Sequence, residues 1–277
     1  MRPLLLCTDL DRTLIPNGAE PETPGARERF GRFAARDEVT LAYVTGRHRA
    51  LVEQAISGYD LPLPDYVIGD VGTSVYRVRA GTWTQVLEWQ ALIGADWGGA
   101  NRVGIAALFG DLPELRLQEA SKQNRFKLSY YTSVDLDPGF LITRMRERLA
   151  PTGIHASLVW SIDEAAGVGL LDVLPEGATK YHAVIFLMEL TGHNEATTLF
   201  AGDSGNDLEV LVSPIPSVLV ANGHPAVRAE AQRLAEAQGH PERLYEAVGG
   251  WYGMNGNYSA GILEGIAHFR PDLLPMP

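Results

Sequence analysis

Leu4-Leu5-Leu6-Cys7-Thr8-Asp9-Leu10-Asp11-Arg12-Thr13 is the stretch that decides the fold. Its short apolar run, ended abruptly by acidic and turn residues, reads as a strand buried on both faces, as strands are in a parallel sheet. Working outward, Pro24-Gly25 opens an amphipathic stretch with Phe30, Phe33 and Ala34 at helical spacing and Arg27, Glu28 and Arg32 elsewhere around it. Val39 to Val44 reads as a second buried strand, ending at Thr45-Gly46-Arg47. Ala50 to Ile56 is helical and stops at Gly58, and Tyr66 to Gly69 is a third strand running into the tight loop Gly69-Asp70-Val71-Gly72. Strand, helix, strand, helix, strand is the order of a doubly wound parallel α/β sheet.

The rhythm changes after about residue 80. Helical pieces, Glu88 to Leu108 and Leu141 to Leu149, alternate with strand-like Phe126 to Tyr131, Ala156 to Trp160 and Gly169 to Leu174. This pattern predicts an inserted α+β domain over residues 81–175, carried on a core made of residues 1–80 and 176–277. The core pattern resumes with a helix over Lys180 to Leu190, strands at Thr198 to Gly202 and Val218 to Ala221, and a helix from Pro225.

Composition narrows the function. With 34 acidic against 23 basic side chains, the net charge of -11 argues against nucleic acid as the main partner. No apolar run approaches the ~20 residues of a membrane helix. The apolar start ends at Asp9, short of the roughly 7–15 residues of a secretory core, so a cytoplasmic protein without a membrane partner is expected. Cys7 is the single cysteine, which removes an intrachain disulfide or a cysteine zinc site, and its apolar surroundings suit a small buried hydrophobe. The seven histidines show no ligand spacing.

Four loops fall at or near the carboxyl ends of the predicted core strands, where ligands bind in open α/β sheets. They are Asp9-Leu10-Asp11-Arg12-Thr13, Thr45-Gly46-Arg47, Lys180 at a helix start, and Gly202-Asp203-Ser204-Gly205-Asn206-Asp207. Singly, each has an ordinary reading as a turn, a cap or a surface lysine. Gathered at one sheet edge, four carboxylates repel one another by several kcal/mol without compensation. A hard divalent ion together with Lys180 supplies it, and oxygen ligands of this kind suit magnesium. In the insert, strand alternation places Lys127 on one face with Ser129 and Tyr131.

Asp-x-Asp-x-Thr, the strand-terminal Thr45, Lys180 and Gly-Asp-x-x-x-Asp, in this order, resemble the four motifs of the haloacid dehalogenase superfamily of phosphohydrolases. The insert between the second and third motifs resembles that superfamily's C2-type cap. The resemblance narrows to sucrose-phosphate phosphatases and related disaccharide-phosphate phosphatases. It is carried by Gly202 to Asp207, by Gln123-Asn124-Arg125-Phe126-Lys127-Leu128-Ser129-Tyr130, by Asp172-Val173-Leu174-Pro175, and by the tail Ala260 to Phe269. Two positions depart from the pattern: Leu170 replaces a first Asp ahead of Asp172, and Tyr181 a Gly after Lys180.

The resemblance implies roles. Asp9 is the nucleophile that becomes an aspartyl phosphate, and Asp11 is the acid and base for the leaving group and the attacking water. Magnesium is held by Asp9, the Asp11 carbonyl and Asp203, with Asp207 and Asn206 supporting. Thr45, Gly46 and Lys180 hold the phosphoryl oxygens, with Arg47 beside them. Lys127, Asn124, Tyr130 and Asp172 are the implied sugar contacts. The implied substrate is a sugar phosphate, first sucrose 6-phosphate, with mannosylfructose phosphate and glucosylglycerol phosphate as alternatives. A sugar phosphomutase and a non-catalytic sugar-phosphate-binding module are the rival classes. A sugar-phosphate synthase is a candidate partner, and the chain is expected to act as a monomer.

Overall fold

Leu4–Thr8 forms β1, and all five of its residues are buried. The computed structural model describes residues 4–163 and 166–274, so Met1 to Pro3 of the apolar start lie outside the described residues. Leu4 and Leu6 join an apolar cluster on one side of the strand, while Leu5 and Cys7 are equally buried on the other. Burial on both faces explains why the strand carries no alternation. The chain continues through α1 (Ala26–Ala34), β2 (Val39–Val44), α2 (Arg49–Gly58) and β3 (Tyr66–Gly69). β1 pairs in parallel with β2, and β2 with β3.

A hairpin of β4 (Ser74–Arg79) and β5 (Thr82–Gln85) then extends the same sheet in antiparallel fashion. The change of rhythm near residue 80 is therefore the hairpin turn at Ala80-Gly81, both with positive φ, and the sheet runs on to Gln85. The chain divides into two compact units, residues 4–85 with 180–274 in one and Val86–Thr179 in the other.

In the second unit α3 (Leu87–Gly94) and α4 (Arg102–Ala107) replace the single helix expected over Glu88 to Leu108. Gly98 and Gly99 take positive φ between them, and the Asn101 side chain accepts the Val103 and Gly104 N–H groups to start α4 afresh. β6 (Arg116–Leu117), β7 (Leu128–Thr132), α5 (Pro138–Leu149), β8 (Ala156–Asp163) and β9 (Val168–Pro175) follow. Their four strands form an antiparallel sheet in the order β6-β7-β9-β8. β7 begins at Leu128 and not at Phe126, because Asn124 Oδ1 takes the Phe126 N–H at 2.8 Å and turns the chain there.

Back in the first unit come α6 (Lys180–Thr191), β10 (Thr198–Gly202), α7 (Leu208–Leu211), β11 (Ser217–Leu219), α8 (Pro225–Gln238), β12 (Leu244–Glu246) and α9 (Ser259–Phe269). The eight strands stand in the order β12-β11-β10-β1-β2-β3-β4-β5. Strand order runs outward in both directions from β1, so the switch point lies between β1 and β10, where a doubly wound sheet opens a crevice at its carboxyl edge. α9 packs against α1 and β11. Its glycines permit the approach: a Cβ on Gly265 would meet Val218 Cγ2 at 2.0 Å, and one on Gly261 the Gly256 carbonyl at 2.2 Å. Among the described residues no helix is long and apolar enough to cross a membrane.

Candidate active site

β1, β2 and β10 lie side by side, and the loops leaving their carboxyl ends carry Asp9, Thr45 and Asp203. Together with Asp11, Arg12, Gly46, Arg47, Ser204 and Asn206, two of these, Asp9 and Asp203, line a cavity of about 290 Å³. Lys180, at the first position of α6, is buried and spends its ammonium hydrogens on three acceptors. It donates to Asp207 Oδ1 at 2.7 Å, Asp9 Oδ1 at 3.1 Å and Asn206 Oδ1 at 3.1 Å. The other Asp207 oxygen accepts the Asp203 and Ser204 N–H groups and the Ser204 hydroxyl, at 3.2, 3.1 and 3.0 Å. Asp207 is thus fully committed, tying Lys180 to the loop that presents Asp203. Gly202 is needed beneath it, since a Cβ there would stand 2.6 Å from Asp207 Cγ.

One oxygen from each of Asp9, Asp203 and Asp207 lies within 4.8 Å of the other two, and all three residues are buried. The electrostatic consequence is direct. Burial pushes the Asp9 carboxyl up to about 8; Lys180 pulls it down, and Asp207 and Asp203 push it further up. Burial and then Asp207 raise Asp203 to about 6, against Thr13, Arg12 and Lys180. Burial also opposes the Lys180 charge, yet Asp207 and Asp9 outweigh it and hold the ammonium above its ordinary value. Lys180 beside Asp9 and Arg12 beside Asp203 do not offset burial and mutual repulsion, so both carboxyls stay above their ordinary value and the cluster has room for further positive charge. Hard oxygen donors clustered in this way fit a small divalent cation such as magnesium, which takes carboxylates and keeps several waters.

Asp11 has a different environment. Arg47 donates to both of its oxygens, Nη2 to Oδ1 at 2.6 Å and Nε to Oδ2 at 2.7 Å, and Asn17 Nδ2 adds a bond to Oδ1 at 2.7 Å. Burial works to raise the Asp11 carboxyl, but the Arg47 hydrogen bonds and charge outweigh it and hold the carboxyl below its ordinary value. The two acids of one loop are therefore driven apart, which is the arrangement that divides labour between a pair of carboxylates. Thr45 is fully buried, with its hydroxyl oxygen accepting the Arg47 N–H at 3.2 Å.

Several residues at this site carried no role in the sequence reading. Thr13 donates to Asp203 Oδ1 at 3.0 Å, and Arg12 pairs with Asp203 Oδ2 at 3.4 Å. Arg12 holds a left-handed conformation, φ 60°, fixed by Asn222 Nδ2 donating to its carbonyl at 2.6 Å. Thr13 is visible in the first motif. Nothing local marks Asn222, which lies 210 residues from its partner.

Within the second unit, Lys127 Nζ lies 3.3 Å from Asp172 Oδ2, and the Ser129 hydroxyl donates to Asp172 Oδ1 at 2.5 Å. The register that pairs Ser129 with Asp172 puts these three on one face of the sheet. Tyr130 points to the opposite face, buried, with its ring edge-on to Phe109 at 6.5 Å. The structure therefore groups Lys127 with Asp172, places Asn124 in the turn just before them, and separates Tyr130 from all three.

Residues 2–270 match the model of a family described as sucrose-6F-phosphate phosphohydrolase. A putative HAD-like hydrolase of Nitrosococcus oceani is 53% identical over 97% of this chain and 72% of its own. Sucrose-phosphatase 1 of Nicotiana tabacum is 28% identical over 96% of this chain, which spans 59% of that protein. The solved sucrose-phosphatase of Synechocystis sp. PCC6803, in complex with sucrose and phosphate, superposes with a TM-score of 0.75 at 27% identity, covering 97% of this chain and 98% of that one.

Proposed function

The chain belongs to the sucrose-6F-phosphate phosphohydrolase family of HAD-fold phosphatases, and from that premise we propose that it hydrolyses a phosphorylated disaccharide, sucrose 6-phosphate first, with magnesium. The observation that carries this reading is one cavity holding Asp9 beside Lys180 and Asp203, with Asp11 two residues along the same loop in an opposite electrostatic setting. The Asp9 carboxylate attacks phosphorus and the ester oxygen leaves, forming an aspartyl phosphate. Asp11 gives the departing sugar oxygen its proton, then takes one from the water that hydrolyses the acyl phosphate. Held ionised by Arg47, Asp11 is poised as the base; the acid step requires that ion pair to open. Lys180 and the Gly46 N–H meet charge that spreads over the phosphoryl oxygens. Asp9, Asp203 and the Asp11 carbonyl, with Asp207 and Asn206 behind them, would hold magnesium, which would supply charge neutralisation for the phosphoryl transfer.

Metal binding gives a pH-dependent signature. Without metal, folded Asp9 keeps its proton to about pH 8 and Asp203 to about pH 6, whereas the unfolded chain releases both near the ordinary value of roughly 4. The folded state therefore binds more protons through that window, and stability from these groups falls as pH rises through it. In EDTA, the melting temperature is expected to fall between pH 6 and pH 8. Magnesium should restore more at pH 8 than at pH 6, because it competes with those protons. A melting temperature that rises with pH in EDTA, or a magnesium effect larger at pH 6, contradicts the metal assignment.

Phosphate release from sucrose 6-phosphate, mannosylfructose phosphate, glucosylglycerol phosphate, glucose 6-phosphate and p-nitrophenyl phosphate, with and without magnesium, tests the substrate. A magnesium-dependent preference of roughly 100-fold in kcat/KM for sucrose 6-phosphate, about 2.7 kcal/mol, is expected. A requirement for a sugar bisphosphate would point to a mutase, and a flat profile would discard the disaccharide. In the same panel Lys127→Ala should raise KM for the disaccharide phosphate by about tenfold and leave p-nitrophenyl phosphate nearly unchanged. Equal effects on both remove Lys127 from sugar recognition.

A further inference from the structure

Asp70 (φ 52°), Val71 (φ 61°) and Gly72 (φ 99°) occupy the left-handed region in succession. Glycine does so freely, but a β-branched residue there crowds its own backbone and is seldom found. Such a conformation persists only where its surroundings over-determine it. Here the surroundings are two hydrogen bonds into the neighbouring loop. The Asp70 N–H donates to the Arg47 carbonyl at 3.0 Å, and the Val71 N–H to the Thr45 carbonyl at 3.2 Å. Gly69 allows this approach, since a Cβ on it would lie 3.0 Å from the Arg47 carbonyl oxygen. The Val71 side chain lies beside Gly46, with Cγ2 3.9 Å from the place a Cβ would take there.

The Thr45 carbonyl and the Gly46 N–H belong to one peptide group. That group is planar and trans, so its C=O and N–H point in opposite directions. Whatever holds the carbonyl also aims the N–H. Gly46 lines the 290 Å³ cavity that holds Asp9, and the Val71 bond holds the far side of its peptide.

We infer that the Asp70–Val71 turn is a positioning device for phosphoryl binding, which fixes the Thr45–Gly46 peptide through the Val71 N–H and so aims the Gly46 N–H at the phosphoryl oxygens. The inference rests on the reading of Gly46 as a phosphoryl donor. Val71 touches no reacting atom; it acts through Gly46. The steric cost at Val71 is stored locally and released if the turn relaxes. That separates a positioning role from a merely structural one, because relief of strain should favour the fold while harming the site.

Inorganic phosphate is the probe. Its inhibition constant against p-nitrophenyl phosphate and the rise it causes in melting temperature, both in magnesium chloride, are measured for the wild type, Val71→Gly and Val71→Asn. Val71→Gly is expected to melt at or above the wild type without phosphate, while its phosphate affinity and kcat/KM fall about 10-fold. Val71→Asn, whose side chain tolerates the left-handed region, should recover most of that affinity. A Val71→Gly protein that fails to fold, or that binds phosphate within about twofold of the wild type, overturns the inference. So does a Val71→Asn protein as weak as Val71→Gly, since the loss then belongs to the valine side chain. A wild type that phosphate does not inhibit would instead overturn the reading of Gly46 on which the inference stands.

Discussion

Asp9→Asn is expected to abolish turnover, lowering kcat by at least about 10⁴-fold, while leaving the fold intact. The amide is nearly isosteric and keeps an oxygen for the Lys180 ammonium, which now donates to Asp9 Oδ1 at 3.1 Å. What it loses is the carboxylate that the proposed mechanism uses as its nucleophile. The substitution also removes one of three clustered acids, Asp9, Asp203 and Asp207, that repel one another. In EDTA the variant should therefore melt no lower than the wild type at pH 8. Loss of activity with stability kept or gained is the behaviour of a site whose charges serve chemistry at the expense of the fold. Turnover within tenfold of the wild type would remove Asp9 from the nucleophile role.

The largest effect on stability is expected far from that cavity, at Glu264 of α9. Its carboxylate is buried and accepts three hydrogen bonds, from the Tyr245 hydroxyl and from the Val248 and Gly249 N–H groups, each at 2.9 Å. Burial, then the hydrogen bond and charge of Glu264, push the Tyr245 hydroxyl up to about 12, so it stays a donor. Glu264→Ala would leave the Val248 and Gly249 N–H groups and the half-buried Tyr245 hydroxyl without their acceptor, at about 3 kcal/mol in total. For a protein of this size that corresponds to a drop of roughly 5 °C in melting temperature. Thermal unfolding by circular dichroism checks it; a shift of less than about 2 °C would show that other groups satisfy those donors.

The tail shows how resemblance and residue-level reading diverge. Ala260 to Phe269 was legible as a family feature, yet its periodicity did not announce α9, because Gly261 and Gly265 lower helix propensity. Their reason is long-range, the contact of Gly265 with Val218 and of Gly261 with Gly256. The buried strands of the core were plain for the opposite reason: β1, β2 and β10 are continuous apolar runs, each ended by a residue with chemistry. The β4–β5 hairpin was missed because exposed arginines and threonines alternate with single buried or half-buried residues toward the sheet's open edge, which reads as surface.

The site divides in the same way. Asp9, Asp11, Lys180, Asp203 and Asp207 were readable because each sits at the end of a strand or the start of a helix, and the fold gathers such places. The supporting residues were not. Asn222 reaches Arg12 across 210 residues, and the Asp11–Arg47 ion pair needs two loops in fixed register. Tyr130 was grouped with Lys127 by the family resemblance, but strand alternation sends it to the face opposite Lys127, and Tyr130 lies in the apolar interior of its unit.

Passage of the phosphoryl group through Asp9 is the step on which the proposed reaction rests. It is tested most directly by mixing the protein with magnesium and a saturating phosphate ester, quenching in acid within the first turnover, and locating the phosphoryl group by peptide mass spectrometry. The expected result is a phosphoryl group on Asp9 that base and hydroxylamine remove, absent from Asp9→Asn and from protein quenched without substrate. A phosphoryl group on another residue, or full single-turnover hydrolysis with no phosphorylated peptide at any quench time, would contradict it.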